Sequence, residues 1–229
     1  VITASRHELS AVQLDLYFML LAQLKEDDQF DKIYRIKISE IETLTGRKWN
    51  YQQLRIATHD LLRKVFEIPK PKGLLQVAML SHAEYVDGSG EVELGVSSKL
   101  RPYLIDIKTN FTSFHLHNVL AISSKYGKWL YLQCCRWQDI GYIKFDLDDF
   151  RVLLNLKDPK GKNPDLYPQI VQLKDRVIEP SIKQINQQTN FYVSYSLEKR
   201  GRKFQYISFS IKLKEEVQKL IPFGVKEPD

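Results

Sequence analysis

One order of elements occurs twice in these 229 residues, and that repetition limits the available folds more than any other feature. In the first half an amphipathic helix from Ser10 to Leu24 leads to the alternating strand YRIKI (34–38) and then to SEIETLTG (39–46). Ser39 with Glu42 three residues on has the form of a capping box, and Gly46 is a natural stop, so a short helix is expected. A second helix, NYQQLRIATHDLLRKVF (50–66), gathers Leu54, Ala57, Leu61 and Val65 on one stripe and turns Gln52, Arg55, His59 and Arg63 outward. A hairpin follows as LQVAMLSHAEYV (75–86), the turn DGSG (87–90) and EVELGV (91–96), and the helix SSKLRPYLIDI (97–107) closes the unit.

From about residue 114 the order returns. A long helix (118–139) precedes the strand YIKF (142–145), and Asp146 with Asp149 opens a short helix, LDDFRVLLNL (147–156). The loop KDPKGKNPD (157–165) leads to QIVQLKDRVIEPSIKQINQQTN (169–190), and the hairpin comes as FYVSYSL (191–197), the tip EKRGRK (198–203) and FQYISFSIKL (204–213). Helix, strand, two helices and a hairpin are the parts of a winged helix-turn-helix, in which the later of the paired helices enters a DNA groove and the hairpin is the wing. The expected fold class is therefore α+β: two tandem winged helix-turn-helix domains with pseudo-twofold related topology, bounded as 1–113 and 114–229.

The net charge of +6 gains meaning when it is divided. Residues 1–113 hold 15 Lys and Arg against 15 Asp and Glu, whereas residues 114–229 hold 19 against 13. Within 157–203 there are ten basic residues and five acids, so the second half is expected to meet an anionic partner: DNA, RNA or a membrane surface. No apolar run approaches the roughly 18–20 residues of a membrane span, and no signal peptide is read. The only cysteines, Cys134 and Cys135, are adjacent. That spacing suits neither a structural disulfide nor a zinc site, and it points to a reducing cytoplasm with the thiols packed in a helix.

At helical spacing, Ile170, Val171, Leu173, Val177, Ile178, Ile182 and Ile185 form one broad stripe in the 169–190 helix. Gln169, Gln172, Arg176, Glu179, Lys183 and Gln187 lie opposite, and Lys174 falls among the apolar residues with its stem snorkelling. Amides, an arginine and a lysine are the side chains that suit base edges. Pro180 removes a backbone donor and is expected to bend the helix, either along a groove or to fit the core.

The run LKDRVIEPSIKQINQQTNFYVSYSLEKRGRKFQYISFSI (173–211), with SSKYGKWLY (123–131) and LRPYLIDIKTNFTSFHL (100–116), resembles the initiator Rep proteins of theta-replicating, iteron-containing plasmids. The resemblance runs from Ser10 to Leu213. It implies two winged-helix domains, the second the main reader of the iteron repeats and the first a secondary DNA contact that mediates dimerisation in a repressing form. It also implies a homodimer and partnership with the host replication initiator and the replicative helicase machinery. Carried over by position, Arg176 is the base reader and Gln169 and Gln172 face the groove beside it. Lys174 and Lys183 serve phosphates, Lys160 and Lys162 extend the contact from the loop, and Arg200, Arg202 and Lys203 surround Gly201 at the wing tip. Arg47, Lys48, Arg55 and Arg63 are the corresponding contacts of the first domain, and Ile56 is either a dimer contact or a plain exposed apolar residue.

Two other classes compete. A rolling-circle nuclease would hold a metal with the HLH pair, His115 and His117, on one side of a strand and attack DNA with Tyr126 or Tyr131. A dimeric winged-helix transcriptional regulator would need the same groove-facing residues as an initiator. DGSG lacks the lysine and helix of a phosphate loop, the acids of DLDD (146–149) suit a helix start, and no catalytic triad is read from spacing. Neither an enzyme nor a cofactor is expected.

Overall fold

The computed structural model describes residues 9–86, 88–109 and 113–214; Asp87 of the expected DGSG turn lies outside them. The chain falls into two compact units, Val1–Thr112 and Ser113–Asp229.

The first unit runs α1 (Ala11–Gln23), β1 (Ile33–Lys37), α2 (Ile38–Thr45), α3 (Tyr51–Arg63), β2 (Val65–Lys70), β3 (Gly73–Ala78), β4 (Leu80–Tyr85), β5 (Glu91–Val96) and α4 (Arg101–Thr109). Its main sheet is antiparallel, in the order β1-β5-β4. Leu16, Phe18, Leu20, Ile36, Ile41, Leu54, Leu61, Val92 and Leu94 are buried together as its core. Each such side chain contributes about 1.5–3 kcal/mol by leaving water. Gly46 ends α2 in the left-handed region at φ 65°, its N–H bonded to Glu42 O. The capping box expected at Ser39 is absent, because α2 already begins at Ile38 and Glu42 accepts the N–H of Trp49 at 2.8 Å instead. A reciprocal box forms at α1, where Ser10 N–H donates to Gln13 Oε1 at 2.8 Å and Gln13 N–H to Ser10 Oγ at 3.3 Å.

The first hairpin differs from expectation. Residues 75–86 are two strands, and β3 pairs with β2 in a separate ribbon. Val65 continues the i, i+4 spacing of Leu61 and so reads as helix, yet Phe66 and Ile68 alternate inward along β2 while Val65 is exposed. Period two prevails over period 3.6 once a partner strand is present.

The second unit runs α5 (Ser113–Ala121), α6 (Lys125–Trp137), β6 (Tyr142–Asp146), α7 (Leu147–Leu153), α8 (Ile170–Leu173), a single π turn (Lys174–Ile178), α9 (Glu179–Gln188), β7 (Phe191–Arg200) and β8 (Lys203–Leu213). Its sheet order, β6-β8-β7, repeats that of the first unit, the ribbon β2-β3 being the added part. Trp129, Phe145, Phe150 and Phe209 pack ring against ring, with centroids 5.7–6.5 Å apart. The long helix expected over 118–139 is two helices. Ser124 is extended, at φ −84° and ψ 132°, and its hydroxyl accepts the N–H of Gly127. A Cβ at Gly127 would stand 2.8 Å from Ile122 Cγ2, so the glycine leaves room for Ile122 in the turn between α5 and α6. Cys134 is buried and Cys135 half-buried, both as free thiols in α6, and burial pushes the Cys135 thiol up to about 11.

Candidate nucleic-acid interface

α8, the π turn and α9 form one continuous helix from Ile170 to Gln188. A proline at position 180 has no N–H to offer, and its ring would press on the carbonyl four residues back. The chain answers with an extra residue rather than a break: Glu179 N–H bonds to Lys174 O, five residues earlier. One inserted residue rotates everything before it by about 100° relative to a uniform helix. A uniform helix extended back from Ile185, Ser181 and Ile178 would bury Lys174 and Val171. Here Leu173 and Val177 are buried, Lys174 is only half-covered, and Val171 is 58% exposed. The sequence expectation for Val171 is thus corrected, Lys174 is half-covered as a snorkelling stem would be, and the π turn is where the helix accommodates Pro180.

Gln169, Gln172, Arg176, Lys183 and Gln187 are exposed along this helix. The Gln172 side chain turns back to accept the N–H of Gln169 at 3.4 Å, helping to close the helix start. Lys174 Nζ stands 3.6 Å from Glu179 Oε1, while Asp158, Asp148 and Glu198 draw in other local cations and donors.

Several polar side chains fix the helix to the rest of its unit. Gln184 Oε1 accepts the N–H groups of Ser123 and Ser124 at 2.9 and 3.1 Å, tying α9 to the break between α5 and α6. Tyr195 donates its hydroxyl to Glu179 at 2.9 Å from β7. Lys214 Nζ donates to the carbonyls of Asn186 and Thr189 at 2.5 and 2.8 Å, satisfying carbonyls at the helix end. At the other end the buried Arg151 of α7 donates to the carbonyls of Leu166, Tyr167 and Pro168.

The paired part of the wing is longer than the sequence suggests. β7 and β8 pair as far as Arg200 with Lys203, leaving Gly201 and Arg202 as the turn, with Gly201 at φ 65°. Arg200 and Lys203 therefore belong to the strands and not to a loose tip. All three cations are exposed, and Lys199 stands 4.9 Å over the Phe204 ring. Glu198, the acid of the tip, receives Lys144 Nζ at 2.6 Å and the Ser208 hydroxyl at 3.3 Å, and the Lys144 hydrogen bond leads in holding its carboxyl below the usual range.

In the loop before α8, Asp158 accepts the backbone N–H groups of Lys160, Lys162 and Asn163 at 2.9, 3.2 and 3.2 Å. Those bonds lower its pKa, and they pin the backbone while the Lys160 and Lys162 side chains stay exposed.

In the first unit Arg55, Arg63 and Ile56 are exposed on α3, and Lys48 is 96% exposed, 3.6 Å from Glu42. Arg47 differs from expectation: it turns inward to Asp15, 2.5 Å away, a carboxylate 1% exposed. Removing that partner would strand a buried charge, so Arg47 anchors the α2–α3 turn to α1. The histidine pair also departs from its expected setting. Residues 115 and 117 lie in the helix α5 and not on a strand. Tyr131 is fully buried and accepts a hydrogen bond from Asn118 at 3.1 Å, with burial raising its pKa. Arg151, Gln184 and Asn186 were not among the residues the sequence singled out. For Arg151 a signal exists, a lone cation amid the apolar positions of LDDFRVLLNL, but its partners are 15 to 17 residues away.

Two winged-helix units, the second carrying a tethered amphipathic helix and a cationic wing, define a tandem winged-helix protein. The family model described as Initiator Replication protein, WH1, matches residues 1–135, and that of Initiator Rep protein, WH2, matches residues 146–211. The chain belongs to this family of replication initiators. Among solved structures, the crystal structure of Pi initiator protein in complex with iteron DNA is similar with a TM-score of 0.75 and 19% identity, over 91% of this chain and 93% of that one. A crystal structure of domains 2 and 3 of RctB is similar with a TM-score of 0.53 and 14% identity, over 90% and 81%. At such identities the likeness is one of fold.

Proposed function

We propose that this chain initiates replication from a plasmid origin by binding the origin's iteron repeats as a sequence-specific reader of double-stranded DNA. The observation that carries the reading is the exposure of Gln169, Arg176 and Lys183 on a helix held at both ends, with the cations of the loop and wing in the same unit. Arg176 is the base reader: a guanidinium bonds O6 and N7 of guanine together. Gln169 and Gln172 face the groove beside it, and Lys174, Lys183, Lys160, Lys162, Arg200, Arg202 and Lys203 neutralise phosphates. Lys48, Arg55 and Arg63 form the weaker contact of the first domain, 1–113, beside the principal reader, 114–229.

The role is one of binding without bond-making chemistry. Among the described residues no helix is long and apolar enough to cross a membrane, and a cytoplasmic site of action accords with an origin-binding role. Family membership supports the further parts of the reading: a homodimer that represses its own gene, and recruitment of the host initiator and replicative helicase.

Footprinting on the DNA that flanks the chain's own reading frame tests this. Protection of direct repeats about two helical turns apart, on one face of the duplex, is expected. Uniform or absent protection would refute iteron binding.

A further inference from the structure

The polypeptide enters the reading helix through an unfavourable turn. Tyr167 has φ 51°, a left-handed conformation that costs a non-glycine residue, and it precedes Pro168, where extended backbone is preferred. Asn155, at φ 54°, marks the other end of the same connection as the chain leaves α7. Such geometry persists only where surrounding groups hold it.

Arg151 is the group that holds it. The residue is 5% exposed, and its guanidinium donates to Tyr167 O at 2.7 Å, Pro168 O at 3.0 Å and Leu166 O at 3.4 Å. Its own backbone carbonyl accepts Leu156 N–H at 2.8 Å, and Leu156 O accepts Leu166 N–H at 2.8 Å. One side chain and two backbone bonds thus close the base of the loop that carries Lys160 and Lys162. The next residue after the clasped carbonyls is Gln169, the cap of the reading helix.

We infer that Arg151 is a positioning residue for sequence reading: by clasping carbonyls 166–168 it sets where the helix begins and how its first turns face DNA, without touching DNA itself. A planar fork of five donors suits three converging carbonyls; an ammonium on a flexible stem does not. The inference rests on the proposed function, since it concerns how that site distinguishes one duplex from another.

The test uses the full chain with R151K and R151Q. Affinity is measured at one salt concentration for a duplex carrying the flanking direct repeat and for a scrambled duplex of equal length, with thermal melting of each protein alongside. The ratio of repeat to scrambled affinity should fall tenfold or more in both variants, while scrambled binding stays within twofold of the parent and its salt slope is unchanged. R151K keeps the charge, so it carries the test if R151Q melts below the assay temperature. Equal losses on both duplexes, or an unaltered ratio, would overturn the inference and leave Arg151 as a fold-stabilising residue. A parent protein that does not prefer the repeat would overturn the proposed function itself, which separates the two failures.

Discussion

Asn186 and Val193 exchange two hydrogen bonds: the Asn186 amide donates to Val193 O at 2.9 Å, and its Oδ1 accepts Val193 N–H at 2.6 Å. β7 is the edge of its sheet, so this side chain satisfies a donor and an acceptor that a neighbouring strand would otherwise take. One residue of the reading helix thereby fixes that helix to the strand leading into the wing. Asn186→Ala would leave both backbone groups without a protein partner, and a loss of about 1–3 kcal/mol in stability is expected from urea unfolding. A change within a few tenths would mean that the pair is replaced by water at no cost.

The π turn makes a prediction that a uniform helix reverses. Because Leu173 is fully buried and Lys174 half-covered, Leu173→Ala should cost about 2–5 kcal/mol, as removal of a core leucine does. Lys174→Ala should stay within about 1 kcal/mol, the range of an exposed ion pair. Were the helix regular through Pro180, the order of the two effects would change, and unfolding curves of the two variants decide it.

The wing is expected to act through charge. Arg200 and Arg202 are exposed, and each phosphate neutralised adds about 0.9 to the slope of log affinity against log salt. The double change Arg200→Ala, Arg202→Ala should weaken binding to every duplex and lower that slope by nearly two. An unchanged slope would take the wing out of contact with phosphate.

The repeated order of elements was legible because periodicity is local. Apolar spacing marks the helices and strands, and Gly46 and Gly201 mark their ends at positive φ. Several of the departures have a different cause, since each of these depends on a partner elsewhere in the chain. The ribbon β2-β3 was hidden by Val65, which fits a helix as well as a strand until β3 is present to pair with it. The break at Ser123 and Ser124 depends on Gln184, about 60 residues on, accepting their N–H groups. At the site, exposure of Arg176, Lys183 and the wing cations followed from the helical and strand pattern. The inward turn of Arg47 and the burial of Arg151 did not, because a sequence gives an arginine's charge but not the carboxylate or carbonyls that claim it.

The central claim is that Arg176 reads a base from a helix whose orientation the fold has fixed. The most direct measurement compares the parent chain with Arg176→Ala on a duplex bearing the direct repeat and on a scrambled duplex, at the same salt. A loss of about 1–3 kcal/mol on the repeat with little change on the scrambled duplex is predicted. Equal losses on both would show that Arg176 touches only phosphate and would contradict the account.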